Sequence, residues 1–412
     1  MRWWPLTLRG FSALALAVLC IVMAQAWGSV ELLAVAVLLI ALVAVSVASL
    51  YVLRRPARAS RAVRPVVPRA GETAHVSVGV AVRTTLPTAS GSWTDGMPRD
   101  AAANAEGGFA AVTSGLRDPE RTVTVNYRVR FAHRGIHQIG PFGVTLLDPF
   151  GLARRTLRIG ATTHVVVAPA ATELTGSPRV TGGPGDLPHA TTTQFGQGAE
   201  NLTARPYLPG DSMRRIHWRA TARHGALMVR EEEQEATPDA TIVLDRSAER
   251  FSDRAHLAPG GDPAFEDAVG ACLSVAARLV RDGCTVVVTD ADGQELCPPL
   301  VSVADSDRLA AELATLTTQA GDALPQLALR LAGDRTGPLV LVTGRLSTGD
   351  ASALATLASR SASPVLLTTD PDADAVSTAI ASGWHAAAIG HGRDLAEAWG
   401  EALDRIPHHA RR

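Results

Sequence analysis

The sequence contains no lysine; all 39 of its lysine-or-arginine positions, in 412 residues, are arginine. That absence removes a P-loop lysine from consideration. It also marks the arginines as codon usage of a GC-rich genome, which weakens any reading of each one as selected for chemistry. Cysteine is scarce: Cys20, Cys272, Cys284 and Cys297 form no C-x-x-C pair, so neither zinc nor a disulfide framework is indicated, and a reducing compartment fits. Net charge is missing as well. The balance is −1 at pH 7, which argues against global attraction to nucleic acid. The length suffices for two or three folded units, each with its own core.

Long apolar runs are present, and both stand at the front. From Leu6 to Trp27 only Arg9 and Gln25 are strongly polar, and from Val30 to Leu53 the one charge is Glu31. Each run is about 20 residues or longer, enough to cross ~30 Å of hydrocarbon as a helix. Gly28 and Ser29 make a tight connection, while Trp3, Trp4, Trp27 and Tyr51 sit where amphipathic rings prefer the interface. Arg2 and Arg9 precede or open the first run. Arg54, Arg55, Arg58, Arg61 and Arg64 follow the second, and the turn has no basic residue. The positive-inside rule then gives a two-span membrane hairpin over 1–55 with both termini cytoplasmic. "AQA" at 24–26 has the form of a signal-peptide cleavage site, but the apolar run resumes at once, which favours an intact hairpin.

A Pro/Arg linker is expected over 56–68, then a β-sandwich over 69–170. "GETAHVSVGVAVRT" alternates as a half-buried strand does, and Val123, Val125, Tyr127, Val129 and Phe131 share one face of a second strand. Residues 87–118 show no periodicity and read as a long loop. "DPFGL" (148–152) reads as a structural turn, with Pro149 fixing φ and Gly151 allowing a positive one. A second linker is expected over 171–194. Over 239–412, continuous apolar strands ("DATIVL", "CTVVVTD", "GPLVLVTG", "SPVLLTTD") alternate with helical patterns, the first capped by Asp262 and ended by Gly283. That alternation predicts a doubly wound α/β domain with a parallel sheet. Ligands of such sheets bind at the carboxyl ends of strands, here Asp245-Arg246-Ser247, Thr289-Asp290, Thr343-Gly344 and Thr369-Asp370.

Between the two parts lies a block, 195–238, that includes "TARPYLPGDSMRRIHWRATARHGALMVREEEQE". Its arginines come with Asp211, Glu231, Glu232, Glu233 and Glu235, so the local charge nearly balances and a phosphate-binding surface is disfavoured. His217, Thr221, His224 and Glu231 are the residues available for acid–base or nucleophilic work. They form no nucleophile elbow, and two histidines seven apart specify neither a metal nor a triad. A structural reading has more behind it. "PGD" turns the chain, Asp211 caps a helix over "SMRRIHWRATARHG", and Met213, Ile216 and Ala220 pack one side of it. Trp218 anchors a second contact, and Gly225 stops the helix. Arginine forks then pair with the carboxylates, either within the chain as an ion-rich joint or with a partner protein.

"HRGIHQIGPFGVTLLDPFGL" (133–152), the block from Thr203 to Glu235, and "VLDRS" (243–247), in that order after a membrane hairpin, resemble the bacterial domain-of-unknown-function 58 family. The resemblance makes Arg205, Tyr207, Pro209, Gly210, Asp211, Arg214, Arg215, Ile216, Trp218, Arg219, Thr221, Arg223, Arg230 and Glu231 the signature and interaction candidates. It also implies a C-terminal domain similar to a von Willebrand factor A module. Its members are often found beside MoxR-type AAA-plus ATPases and transglutaminase-like membrane proteins, and no enzymatic activity comes with the family. Von Willebrand A modules hold Mg²⁺ through D-x-S-x-S after the first strand, a loop Thr and a late Asp. Here Asp245 and Ser247 match, Glu249 replaces the second serine, Gly344 stands at the late Asp, and no loop Thr is assigned. The expectation is a membrane-anchored, non-enzymatic scaffold that works through protein contacts and requires no cofactor. A Mg²⁺-dependent adhesion-type module and an uncharacterised envelope enzyme are the alternatives.

Overall fold

The computed structural model describes residues 5–52, 58–83, 91–109, 120–176, 178, 202–207, 216, 218–232, 239–331, 337–390 and 392–404. Two helices open the chain, α1 (Leu8–Trp27) and α2 (Val30–Val52). The Thr7 hydroxyl caps α1 by accepting the Gly10 N–H, and Gly28 ends it at φ 65°, a conformation that costs a glycine nothing. Both helices are long and apolar enough to cross a membrane. They bury small residues: Ala17, Cys20 and Ala36 form one cluster, with Ala24 and Val43 also buried. Leu16, Leu19, Val22, Val37, Leu38 and Ile40 face outward. A small-residue seam with large apolar side chains outside is how helices pair when the surroundings are as apolar as leucine.

The chain divides into two compact units: Met1–Thr172 with Ser252–Leu273 and Asp307–Gln319, and Glu173–Phe251 with Ser274–Ser306 and Ala320–Arg412. The first contains strands β1 (Arg58–Arg64), β2 (Thr73–Arg83), β3 (Gly91–Asp95), β4 (Ala101–Ala103) and β5 (Glu106–Phe109). After them come β6 (Glu120–Phe131), β7 (Gly135–Ile139), β8 (Phe142–Leu147), β9 (Arg154–Ile159) and β10 (Thr163–Val167). Two four-stranded antiparallel sheets, β1-β2-β6-β4 and β5-β3-β8-β9, share a core that includes Val76, Val78, Trp93, Tyr127, Phe131, Phe142 and Ile159; β10 pairs with β7. The alternation read in β2 and β6 places Ala74, Val76, Val78 and Val80, and Tyr127, Val129 and Phe131, inward.

Two expectations about this region are corrected. Residues 58–64 of the expected linker are a strand, paired with β2 from Arg58↔Ala81 to Arg64↔His75. Its inward face carries only Ala59, Arg61 and Val63, too little apolar surface to register as a strand. The expected loop 87–118 contains β3, β4 and β5; residues 84–90 and 110–119 lie outside the described residues. Trp93 and Asp95 point inward from β3. The Arg61 guanidinium donates to both Asp95 oxygens, at 2.9 and 2.7 Å, and to the Ala161 carbonyl, while the Tyr127 hydroxyl donates to Asp95 at 2.8 Å. Strand propensity does not register this polar tie, which fixes β1 onto β3.

The same unit buries Arg134, 1% exposed. Its Nε donates to both Glu266 oxygens, its two terminal nitrogens donate to the Leu313 and Leu316 carbonyls, and the guanidinium lies 5.2 Å from the Phe265 ring centroid. Only a planar fork can satisfy carboxylate, carbonyls and ring together.

In the second unit β11 (Leu202–Pro206) pairs antiparallel with β12 (Met228–Glu232), and α3 (Trp218–His224) lies between them in sequence. From Asp239 the chain runs β13 (Asp239–Leu244), α4 (Pro263–Arg281), β14 (Thr285–Asp290), α5 (Asp305–Ala314), α6 (Leu324–Arg330), β15 (Pro338–Leu346), α7 (Thr348–Ala353), α8 (Ala355–Ala358), β16 (Ser363–Pro371), α9 (Ala375–Ala381), β17 (His385–Ala388) and α10 (Leu395–Asp404), with Pro263–Leu273 of α4 and Asp307–Ala314 of α5 counted in the first unit. Strands β13 to β17 form one wholly parallel sheet in the order β14-β13-β15-β16-β17. Asp262 caps α4, accepting the Ala264 N–H at 2.9 Å, and Gly283 follows it at φ 84°. Sequence periodicity does not mark α6, α9 or the alanine-rich β17, all too short to outweigh weak local preference. The strand order reverses between β13 and β15, the crevice where doubly wound sheets place their ligands.

Candidate functional site at the strand ends and the signature helix

Asp245 leaves the end of β13 fully buried. Its Oδ1 accepts the Ser247 N–H at 2.9 Å, and its Oδ2 accepts the Thr343 hydroxyl from β15 at 2.7 Å. Burial pushes the Asp245 carboxyl above its ordinary range, partly countered by the Ser247 and Thr343 hydrogen bonds and by the charge of Arg250. The Ser247 hydroxyl accepts the Ala323 N–H at 3.0 Å.

Arg250, in the single turn after Ser247, supplies the cation of this cluster. Nε and Nη2 donate to Asp322, Nη1 and Nη2 to Asp350, and Nη1 also to the Arg345 carbonyl, so all five N–H groups find an acceptor. Burial works against the Arg250 charge, but the bonds to Asp350 and Asp322 outweigh it and hold the guanidinium firmly protonated. Asp350 experiences the same contest. Burial raises it, while Arg250 and Ser347 together pull it down to about 2.

This donor set is a poor fit to Mg²⁺. Both Asp245 oxygens and the Ser247 hydroxyl already have partners, and Glu249 is exposed. A side chain at 344 would run into the Arg250 carbonyl and the Phe251 ring, so that position cannot carry an aspartate. The positive charge that would balance the carboxylates belongs to the protein itself. Sequence reasoning singled out Asp245, Ser247 and, as a strand end, Thr343, but missed Arg250, Asp322 and Asp350 as their company. Asp322 lies in the loop before α6, a position that no motif marks. Close by, Arg246 reaches the buried Asp290 at 3.4 Å, and on the exposed rim Arg345 reaches Asp370 at 3.7 Å.

The signature block is held by backbone. Tyr207 N–H donates to the Leu227 carbonyl at 2.8 Å, the buried Ile216 bridges Val229, and the Thr221 hydroxyl accepts the Met228 N–H at 3.0 Å. Gly225 stops α3 at φ 68°, as expected. The described helix begins at Trp218 rather than after Asp211: Ile216 packs as part of a β-bridge, not as a helical residue. Trp218 does not turn inward; it is 69% exposed, and Arg219 and Arg223 beside it are exposed without an ion-pair partner among the described residues. Pro209, Gly210, Asp211, Arg214, Arg215 and His217 lie outside the described residues, as do the side chains of Arg205, Arg230 and Glu231.

Residues 203–375 match the family described as "Protein of unknown function DUF58", which takes in two of the three blocks that carry the resemblance, the signature block and "VLDRS". No curated protein matches. Among solved structures, a glycosyl hydrolase family 2 member from Bacteroides cellulosilyticus DSM 14838 is 8% identical, with 85% of this chain and 38% of that one covered at a TM-score of 0.17. A putative beta-galactosidase from Bacteroides fragilis is 10% identical, with 82% and 40% covered at 0.15. The chain spans about two fifths of the length of those two structures. Their TM-scores are too low to bear on fold or function.

Proposed function

We propose that the protein is a membrane-anchored, non-enzymatic scaffold that binds a partner protein through α3. The observation that carries this reading is Trp218: a large ring left 69% exposed, with exposed Arg219 and Arg223 near it, on a helix tied to β12 by the Thr221 hydroxyl and by the Ile216–Val229 bridge just before it. Tryptophan and arginine are the residue types that dominate binding hot spots, and a pinned helix presents them at little entropic cost. The exposed guanidiniums call for an acidic surface on the partner. A MoxR-type AAA-plus ATPase is the first candidate, with a transglutaminase-like membrane protein second, both on the family resemblance alone. The hairpin anchors the chain in the membrane, with both termini cytoplasmic.

The closed state of the Asp245–Arg250 cluster supports the same reading from the other side. Its carboxylates are engaged with Arg250 and with hydroxyls and backbone, which suits a rigid strand-end platform better than proton transfer or metal-dependent adhesion. The platform belongs to an α/β domain that we read as von Willebrand A-like. The test is affinity purification of the full chain from native membranes, wild type against Trp218→Ala with Arg219→Glu and Arg223→Glu. Wild type should recover an envelope-associated ATPase or assembly protein that the variant loses by at least roughly 30-fold, the weight of one hot spot. Equal recovery by both would remove α3 from the interface.

A further inference from the structure

The DPFGL turn is built for more than reversing the chain. Asp148 is buried and organises it, accepting the Phe150 N–H at 3.0 Å and the Ala153 N–H at 2.6 Å, while the Gly151 N–H closes on the Asp148 carbonyl at 3.0 Å. The turn is tied to the start of α1. The Thr7 hydroxyl donates to the Gly151 carbonyl at 2.6 Å, the Thr7 N–H to the Leu152 carbonyl at 2.9 Å, and the Arg154 N–H to the Pro5 carbonyl at 2.7 Å. Gly10 has no room for a Cβ against the Leu152 carbonyl. The next residue along, Arg155, reaches the end of α2: it donates to the Leu50 carbonyl at 2.8 Å and lies 4.4 Å over the Tyr51 ring. One short segment therefore clasps both helices at the open end of the hairpin, satisfying a helix-terminal carbonyl there.

At that same level Phe150, Leu8 and Arg9 are exposed, and Arg154 is half-buried. Phe150 is 55% exposed and Leu8 87% exposed. Arg9 holds a guanidinium nitrogen 3.6 Å from where a Gly151 Cβ would stand, and no carboxylate pairs with Arg9 or Arg154 among the described residues. An aromatic ring and unpaired arginines at the end of an apolar helix match the chemistry of a bilayer interface: apolar just below, phosphate just above.

We propose that this turn is a membrane-interface foot. Phe150 inserts at the headgroup level and Arg9 and Arg154 hold the phosphates of anionic phospholipids, which fixes the β-sheet unit at the bilayer surface. The proposal rests on reading α1 and α2 as membrane spans.

The experiment uses the full chain in nanodiscs of phosphatidylcholine with or without phosphatidylglycerol. A nitroxide is attached at Phe150→Cys, with Val66→Cys beyond β1 as the solvent control; all four native thiols are buried, so the unsubstituted chain serves as the labelling blank. The label at 150 should collide with lipid-soluble oxygen in preference to an aqueous nickel chelate, and the label at 66 should do the reverse. Phosphatidylglycerol retained on extraction should fall by roughly five-fold for each of Arg9→Gln and Arg154→Gln. Phe150→Trp, read by brominated-lipid quenching in excess of wild type, gives depth through a second substitution. A nickel-accessible label at 150, with unchanged lipid retention in the arginine variants, would overturn the foot while the spans stand. Release of the protein from bilayers by alkaline carbonate would overturn the spans, and the foot with them.

Discussion

At the residue scale, Arg250 is the side chain that decides the character of the strand-end site. A guanidinium with all its donors used is an internal counter-ion to Asp322 and Asp350. Removing it strands two carboxylates, so Arg250→Ala should cost about 3–5 kcal/mol of stability, and Arg250→Lys should recover only part because an ammonium cannot reproduce the fork; chemical denaturation of the purified protein measures both. Adding Mg²⁺ to wild type should leave the melting temperature unchanged, and a Mg²⁺-dependent rise would contradict the internal-cation reading. The sign of the pH effect follows from Asp350. Its carboxyl is held at about 2 against an ordinary 3.8, a depressed value, so its contribution is fully present above about pH 4 and is lost as pH falls toward 2. Asp350→Asn should flatten stability across that window. Asp245, Ser247 and Thr343 were legible as strand-end residues, but their pairing and the parts played by Arg250, Asp322 and Asp350 were not, because these residues meet only through the folded sheet.

At the scale of elements, the long, strongly periodic segments were readable and the short ones were not. The two apolar helices, β2, β6, α4 and the strands from β13 to β16 declare themselves through uninterrupted patterns of one period. Strand β1 was hidden because a buried ion pair, Arg61 with Asp95, occupies a place where an apolar residue would have given the signal. Strand β17 was hidden because alanine carries little strand preference, and only pairing with β16 makes one of it. The buried pair makes its own prediction: Asp95→Ala should destabilise the β-sheet unit by about 3–5 kcal/mol, since it leaves Arg61 buried without its carboxylate. In α3 the expectation is opposite. Trp218→Ala should change stability by no more than about 0.5 kcal/mol, because an exposed ring loses few contacts. Thermal unfolding of the two variants side by side separates a structural element from one free to bind.

At the scale of the whole molecule, the sequence identified the family neighbourhood more readily than the activity. The α/β sheet has its switch point between β13 and β15, yet Asp245, Thr343, Ser247 and Arg250 there are engaged with one another, with backbone and with Asp322 and Asp350, while Trp218, Arg219 and Arg223 are exposed and the two arginines have no ion-pair partner among the described residues. That contrast is why binding through α3 is preferred over chemistry at the strand ends. The most direct test is quantitative mass spectrometry of proteins purified with the full chain from native membranes, comparing wild type with the Trp218→Ala, Arg219→Glu, Arg223→Glu variant. The scaffold account predicts an ATPase or envelope-assembly protein enriched with wild type and lost with a variant that still melts normally. Recovery of the same proteins with both forms, or of no such protein with wild type, would contradict it.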